Sequence, residues 1–282
     1  MHTLSIRFNT LLLLLLVLMA GAIITMLATR AYGGPLDPTG APASTDGVRG
    51  PGTPISSLPF TISGPGYYYV TRPLTGGAGT NGITINTSNV TLDLGGFTLA
   101  EGAIPGTTGV LIGAFRNVTV RNGAARGWGI GIDANLCGNC RVDGVQASGN
   151  GNGIYIGPGS EISDCNASLN NVGINADYGV VRNCIVSENS GTGLVINSHS
   201  VIEGIASRNN GGPGISIVGN SNTVRNSDFM HNGFTSDVGG NDINVPDGRL
   251  DNVFVDVSYC VAKNTNVSTQ TSMLFQRTAA GC

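Results

Sequence analysis

The sequence has few charged side chains, few aromatic rings and one lysine, and these shortages exclude several kinds of protein. Only 11% of the 282 residues are charged and 6% are aromatic, whereas soluble domains are usually about 25% charged. The formal net charge of -3 excludes the basic surface that a nucleic-acid partner requires. Between residues 82 and 245 no apolar stripe is long enough for a helix, so a helical domain is also excluded.

The chain is instead rich in glycine, with 44 residues, and contains a short repeated motif, called the glycine phrase below. The phrase is glycine, apolar, any residue, apolar, as in Gly153 to Ile156. Its copies begin at Gly82, Gly109, Gly131, Gly153, Gly173, Gly193 and Gly214, with a variant at Asp242. A near-constant period of this length indicates a solenoid, in which each repeat stacks on the next.

Inside each repeat, apolar and polar residues alternate over three positions, which is the period of a strand. A second short strand follows, closed by an Asx or Glu and a small residue. A third strand places an inward residue three positions before an asparagine; these inward residues are Ala147, Ala167, Val186, Ala206 and Phe229. We therefore predict an all-β fold, a single-stranded parallel β-helix of about eight to nine three-strand coils with terminal caps.

The asparagines after the third strand are predicted to form a structural ladder. They are Asn150, Asn170, Asn189, Asn209 and Asn232. A buried amide row of this kind satisfies backbone groups at a bend.

The repeated phrase, the Asx corner and the asparagine column resemble the right-handed parallel β-helix repeat proteins of the pectin-lyase-like superfamily. The segments Gly64 to Val70 and Asn89 to Leu99 resemble the opening coils of many secreted bacterial members. The resemblance covers about residues 56–255 and implies a right-handed coil. It leaves the activity open, because the superfamily contains polysaccharide lyases, hydrolases, epimerases and adhesins.

The ends of the chain differ from the repeats. Residues 1–31 are predicted to be a signal peptide, because Arg7 precedes an apolar run from Leu11 to Thr29. The run is also long enough to span a membrane as an uncleaved anchor. Membrane association is expected only through this segment. In both cases the protein is expected to be secreted, periplasmic or at the cell surface. Residues 32–55 are predicted to be a Gly/Pro-rich linker, 56–255 the β-helix, and 256–282 a C-terminal cap or tail.

The strands that carry the glycine phrase are predicted to display Asp133, Tyr155 and Asn175 side by side. Extra residues around Glu101–Pro105 and around Gly233–Asp237 either bound a groove across this sheet or are tolerated insertions. In a groove, Tyr155 and Asn175 are the candidate polysaccharide-binding residues. Trp128 stands where other coils carry the ladder asparagine, and it either covers the core or offers a platform to a sugar ring.

The resemblance implies two kinds of catalytic site. Lyases of the superfamily pair carboxylate-bound calcium with an Arg or Lys base, and its hydrolases gather aspartates around the scissile bond. The candidates here are Asp133, Asp143 and Asp164, and the lysine, Lys263, lies outside the repeats. Asp143 and Asp164 are predicted to share a column in adjacent coils, where they either hold a cation such as calcium or form corners.

Six cysteines in an exported chain are expected to be partly oxidised. Cys165 and Cys184 fall in adjacent coils, as a disulfide or as stacked buried thiols. Cys137 and Cys140 form a C-x-x-C, a third candidate pair, without the second ligand pair of a zinc site. Cys260 and Cys282 are predicted to tie down the C-terminal cap.

Two functions are compatible with this sequence. One is a non-catalytic β-helix that binds extracellular or envelope polysaccharide or has a structural, adhesive role. The other is a polysaccharide lyase or glycoside hydrolase. The missing carboxylate cluster favours the first, and calcium is the cofactor that the sequence leaves open.

Overall fold

The computed structural model describes residues 52–233, 242–246, 249, 251–259, 262–263 and 273–274, with the backbone alone for 102–105, 262–263 and 273–274. The predicted signal peptide, residues 32–51 of the predicted linker, most of the predicted C-terminal cap, Cys260 and Cys282 lie outside the described residues. Across the described ranges, none of the secondary structure is a helix long and apolar enough to cross a membrane.

The structure is all-β. Its strands are β1 (Thr53–Ile55), β2 (Phe60–Ile62), β3 (Gly66–Val70), β4 (Leu74–Thr75), β5 (Ile83–Ile85), β6 (Val90–Asp93), β7 (Thr98–Ile112), β8 (Val118–Ala134), β9 (Arg141–Ser148), β10 (Asn152–Ile156), β11 (Glu161–Ser163), β12 (Asn166–Ser168), β13 (Val172–Ala176), β14 (Val180–Arg182), β15 (Ile185–Ser187), β16 (Leu194–Ile196), β17 (Val201–Glu203), β18 (Ala206–Arg208), β19 (Ile215–Ile217), β20 (Thr223–Met230), β21 (Ile243–Asn244), β22 (Val253–Tyr259), β23 (Ala262–Lys263) and β24 (Met273–Leu274).

Each strand pairs in parallel with the strand one coil away, which produces a solenoid of about eight turns. The strands stack in three columns. The first sheet contains the glycine phrases, for example β10 between β8 and β13. The second sheet contains β11 between β9 and β14, and the third contains β12 between β9 and β15. The predicted all-β solenoid is confirmed.

The core is the inside of this coil, and the alternation of each strand fills it. In β10 the side chains of Ile154 and Ile156 are fully buried while Tyr155 between them faces outward. Burying an aliphatic side chain of this size contributes about 1.5–3 kcal/mol, and the same positions recur in every coil. Local sequence therefore decides which residues enter the core.

The glycine that opens each phrase has no room for a side chain. A Cβ on Gly153 would lie 2.4 Å from the carbonyl oxygen of Gly173 and 2.9 Å from Nδ2 of Asn170. Asn170 belongs to the asparagine ladder, so the amide of one coil lies directly over the glycine of the coil before it. The glycine phrase and the ladder are therefore two halves of one packing arrangement.

The ladder contains Asn210 and not the predicted Asn209. Its buried members are Asn150, Asn170, Asn189, Asn210 and Asn232. From Asn170 onward, each accepts hydrogen bonds from the backbone N–H and amide of the member before it, as Asn170 Oδ1 does from Asn150 at 2.9 and 3.0 Å. Asn209 is exposed, with a φ of 57°.

The one-residue difference between the predicted and the observed ladder begins at the corner before the third strand. Gly204 has a φ of 66° and takes the corner, so Ile205 and Ser207 point inward and Ala206 points out. The prediction chose Ala206 because it is apolar. Ser207 is accepted in the core because its hydroxyl donates to Gly214 O at 3.0 Å.

The β-helix begins three residues before the predicted boundary. Strand β1 pairs with β3, and Ile55 is fully buried, so Thr53–Ile55 is the first strand and not linker. At the other end, β22 continues to Tyr259 and pairs with β24, so coil-like pairing extends past residue 255.

Candidate functional site

The outer face of the first sheet carries one straight column of side chains. The column consists of Thr61, Thr84, Leu111, Asp133, Tyr155, Asn175, Val195, Ser216 and Asn244. Asp133, Tyr155 and Asn175 occupy three successive coils, as the sequence predicted. Paired residues of neighbouring strands lie about 4.8 Å apart, so the three side chains form one continuous surface.

Asp133 sits in a partly desolvated position on this face. Burial raises the pKa of its carboxyl group, and the backbone N–H of Asn135, which donates to Oδ1 at 3.1 Å, opposes that shift. A raised carboxyl pKa means that the surroundings disfavour the charged form. Asp133 is the only charged residue of this column from Thr61 to Asn244, and the next member described is Lys263, which pairs with Asn244 at the far end of the sheet.

Asn175 has an unused acceptor. Its Oδ1 is buried and accepts no hydrogen bond from the described residues. A buried carbonyl oxygen without a donor costs about 1–3 kcal/mol. Tyr155 therefore lies between a carboxyl group whose ionisation is disfavoured and an amide that lacks a partner.

Trp128 does not offer a platform to a sugar. Its side chain is 1% exposed, and its Nε1 donates to Leu99 O at 2.9 Å. Its backbone N–H donates to Asn150 Oδ1 at 2.9 Å, which places it at the ladder position of its coil. The indole lies over Gly82 and Gly109, where a Cβ would come within 3.2 Å of the ring. The binding role predicted for Trp128 is wrong, because the glycine column opens a core cavity that the ring fills.

Asp143 and Asp164 do not share a column, so the predicted carboxylate pair does not form. Asp143 pairs with Ser163, whose hydroxyl donates to it at 2.8 Å. Asp164 is one residue later, at a corner with a φ of 55°, and the equivalent corner of the coil before it is Gly144. The glycine took the left-handed position that the prediction assigned to Asp143. No cluster of three or more His, Cys, Asp or Glu side chains converges within the described residues, and calcium binding stays a prediction.

The second sheet carries charged residues of alternating sign, of which the sequence analysis singled out only Asp143. The ion pairs are Arg121–Asp93 at 3.0 Å, Arg141–Asp143 at 3.4 Å, Arg141–Glu161 at 3.9 Å, Arg182–Glu161 at 2.9 Å, Arg182–Glu203 at 3.4 Å and Arg225–Glu203 at 3.0 Å. The hydrogen bond from Arg225 lowers the pKa of Glu203. Because stacking puts unlike charges on adjacent coils, this column favours the native register.

The cysteines divide into two kinds. Cys137 and Cys140 form a disulfide with a Cα–Cα distance of 5.9 Å. Cys165 and Cys184 are buried free thiols, so a disulfide between them is not formed. The hydrogen bond to Cys165, together with burial, raises the pKa of the Cys184 thiol.

The first of the two long coils does not form a loop beside the first sheet. The residues around Glu101–Pro105 belong to the continuous strand β7, which accommodates them by shifts in its register with β8. Thr107 Oγ1 donates to the carboxylate of Glu101 within the same strand. Residues 234–241 lie outside the described part of the chain, so the groove remains a prediction at that end.

A parallel β-solenoid with a glycine column, an amide ladder and left-handed corners defines the class of this protein. Residues 108–267 match the family described as "Right handed beta helix region", and the chain belongs to that family. No curated protein matches the sequence.

Two solved structures have the same fold. The A-module of mannuronan C-5 epimerase AlgE4 from Azotobacter vinelandii is similar at a TM-score of 0.58 and 18% identity, over 73% of this chain and 67% of that one. ORF18 of Geobacillus virus E2 is similar at a TM-score of 0.61 and 11% identity, over 78% of this chain and 50% of the viral one. This chain thus spans half the length of the viral protein. At these identities the likeness establishes the fold alone.

Proposed function

We propose that this protein is exported and binds a polysaccharide on the outer face of its first sheet. The observation that carries the proposal is the row Asp133, Tyr155 and Asn175, in which an aromatic ring on the outer face is flanked by two polar side chains on the neighbouring coils. Sugar rings have apolar C–H faces and hydroxyl edges, which suit a phenol ring beside amide and carboxyl groups. The epimerase module with this fold acts on mannuronan by its name, which supports a glycan as the ligand class.

The charges favour a neutral polysaccharide over a polyuronate. Asp133 is the only charged residue within four coils of Tyr155 along the first-sheet column, whose one lysine, Lys263, lies beyond Asn244 at the far end. Arg141, Arg182 and Arg225 lie on the second sheet in ion pairs with glutamates and aspartates. An acidic glycan bound beside Tyr155 would therefore meet no counter-charge from the neighbouring column residues and would face Asp133.

The test is co-sedimentation of the full chain with insoluble cellulose, mannan and cross-linked alginate, each with calcium and with chelator. We expect Tyr155→Ala to weaken binding to a neutral glycan by about tenfold, because the stacking surface is lost. Tyr69→Ala is the matched control, since Tyr69 stacks on Tyr67 away from the first sheet. Equal binding by wild type and Tyr155→Ala would remove the first-sheet face from consideration.

A catalytic alternative rests on Asp133, whose raised pKa suits a general acid. Release of new reducing ends by wild type and none by Asp133→Asn would support a lyase or hydrolase.

The same variant has an expected effect on stability. In the folded protein the Asp133 carboxyl pKa lies above its usual value of 3.8, so the folded state binds the proton more readily. Stability contributed by this group is therefore lost as pH rises from 3.8 through the raised pKa. We expect Asp133→Asn to unfold at an equal or higher temperature than wild type at pH 7, with the difference disappearing at pH 3. A lower midpoint at pH 7 would show that the carboxylate is needed by the fold.

A further inference from the structure

The corner between the first and second sheets is a column of left-handed residues that begins at Asn89. Its members are Asn89, Asn117, Asn139, Gly159, Tyr178, His199, Ser221 and Asp251, all with φ between 51 and 68°. Asparagine and glycine are the usual residues in this conformation, and histidine is also enriched there. Tyrosine is the exception, because a bulky side chain is strained in this region.

Two different stacks occupy this column. The amides of the first three members join in series: Asn117 Nδ2 donates to Asn89 Oδ1 at 3.0 Å, and Asn139 Nδ2 donates to Asn117 Oδ1 at 2.6 Å. Further along, the rings of Tyr178 and His199 stack with centroids 5.0 Å apart and planes 11° apart. Between the two stacks lies Gly159, which has no side chain.

The tyrosine ring does not serve the core. Tyr178 is 48% exposed, and its neighbour His199 is also exposed, so the strain of its backbone is not offset by buried apolar area. Strained residues that packing does not explain are concentrated at functional sites.

The distance between the Tyr178 and His199 rings shows where the second face of the Tyr178 ring points. Its ring centroid lies 5.0 Å from that of His199, close to the distance of about 4.8 Å between coils. The two rings are nearly parallel and stack along the column, so the face of Tyr178 that does not contact His199 is turned toward the coil of Gly159. A Cβ on Gly159 would have only the backbone nitrogen of Asn139, at 3.8 Å, within 4 Å. The result is an empty slot, one coil thick, between Asn139 and Tyr178.

We propose that this slot binds one pyranose ring of a neutral polysaccharide. The C–H face of the sugar stacks on Tyr178, and a sugar hydroxyl donates to Oδ1 of Asn139, the terminal acceptor of the amide series. Gly159 follows Tyr155 in the same coil, so a glycan on the first-sheet face reaches the slot by crossing the edge of that sheet. The inference rests on the proposed function for its ligand class and adds a second, separate contact site.

The sharpest test fills the slot without touching the tyrosine. Gly159→Asn places a residue suited to a φ of 68° at a position with free space, where its amide extends the series from Asn139. We expect this variant to fold normally and to bind a neutral hexasaccharide about tenfold or more weakly than wild type. Tyr178→Asn removes the platform while relieving its backbone strain, so we expect unchanged or higher stability with the same loss of binding.

Leu169→Asn is the matched control. Leu169 is likewise left-handed, with a φ of 60°, and 60% exposed, but it lies at a different corner. We expect it to bind like wild type.

The readouts are calorimetric Kd values for hexasaccharides of β-1,4-glucose, β-1,4-mannose and mannuronate, and the imidazole NMR signals of His199, one of three histidines. The slot is supported if Gly159→Asn and Tyr178→Asn both lose binding and both lose the change that the sugar causes in the His199 NMR signals. Normal binding by both variants, with loss in Tyr155→Ala, overturns the slot and leaves the proposed function standing. No binding and no His199 shift with any sugar overturns both.

Discussion

Replacement of Asn210 with alanine is expected to lower the free energy of unfolding by about 3–5 kcal/mol, against about 1 kcal/mol for Asn209→Ala. Asn210 Nδ2 donates to Val186 O at 3.1 Å and to Asn232 Oδ1 at 2.7 Å. Its Oδ1 accepts from the backbone and amide nitrogens of Asn189 at 3.0 and 2.8 Å. Alanine leaves these groups buried without partners, and each such loss costs about 1–3 kcal/mol.

Asn209 differs because it faces solvent. Its replacement costs the strain of alanine at a φ of 57° and no buried hydrogen bond. Urea unfolding of the two single variants, followed by circular dichroism, measures the difference. The reverse order would place Asn209 in the ladder and contradict the register of the third sheet described above.

Trp128→Ala is expected to lower the free energy of unfolding by about 3–5 kcal/mol, because it empties a filled part of the core. The indole fills the space over Gly82 and Gly109, and alanine leaves Leu99 O without its donor. Trp128→Phe, which keeps most of the ring and loses the hydrogen bond, is expected to cost about 1–3 kcal/mol.

Fluorescence gives an independent check, since Trp128 is the single tryptophan. We expect emission typical of a buried indole, little quenching by acrylamide, and no change when a glycan binds. Strong quenching, relieved by glycan, would restore Trp128 as a binding platform and contradict its burial.

The sequence predicted the solenoid well because the relevant information is local. The alternation in Gly153 to Ile156 assigns Tyr155 to the surface and its neighbours to the core without reference to any other coil. The outward row of Asp133, Tyr155 and Asn175 was predictable for the same reason, since each occupies the same place in its own phrase.

The wrong predictions for the corner and the ladder arose where the position of the corner residue was miscounted by one. At Glu203 and Gly204, and again at Asp143 and Gly144, the polar residue was taken as the corner, whereas the glycine has the positive φ. A shift of one residue reverses which side chains enter the core, which moved the predicted ladder from Asn210 to Asn209. Counting from the corner glycine, instead of from the apolar Ala206, identifies Ser207 and Asn210.

By itself, the sequence determined the strand-length alternation, the glycine column and the amide ladder, and with them the parallel β-helix. These features repeat in each coil and depend on neighbours a few residues away. Only the tertiary structure decided which side chains meet between coils: the alternating ion pairs of the second sheet, the burial of Trp128, and the empty position at Gly159 beside Tyr178. The physical reason is that such neighbours lie about 20 residues apart in the chain, and coils of unequal length keep their register through hydrogen bonds and packing, not through spacing in the sequence.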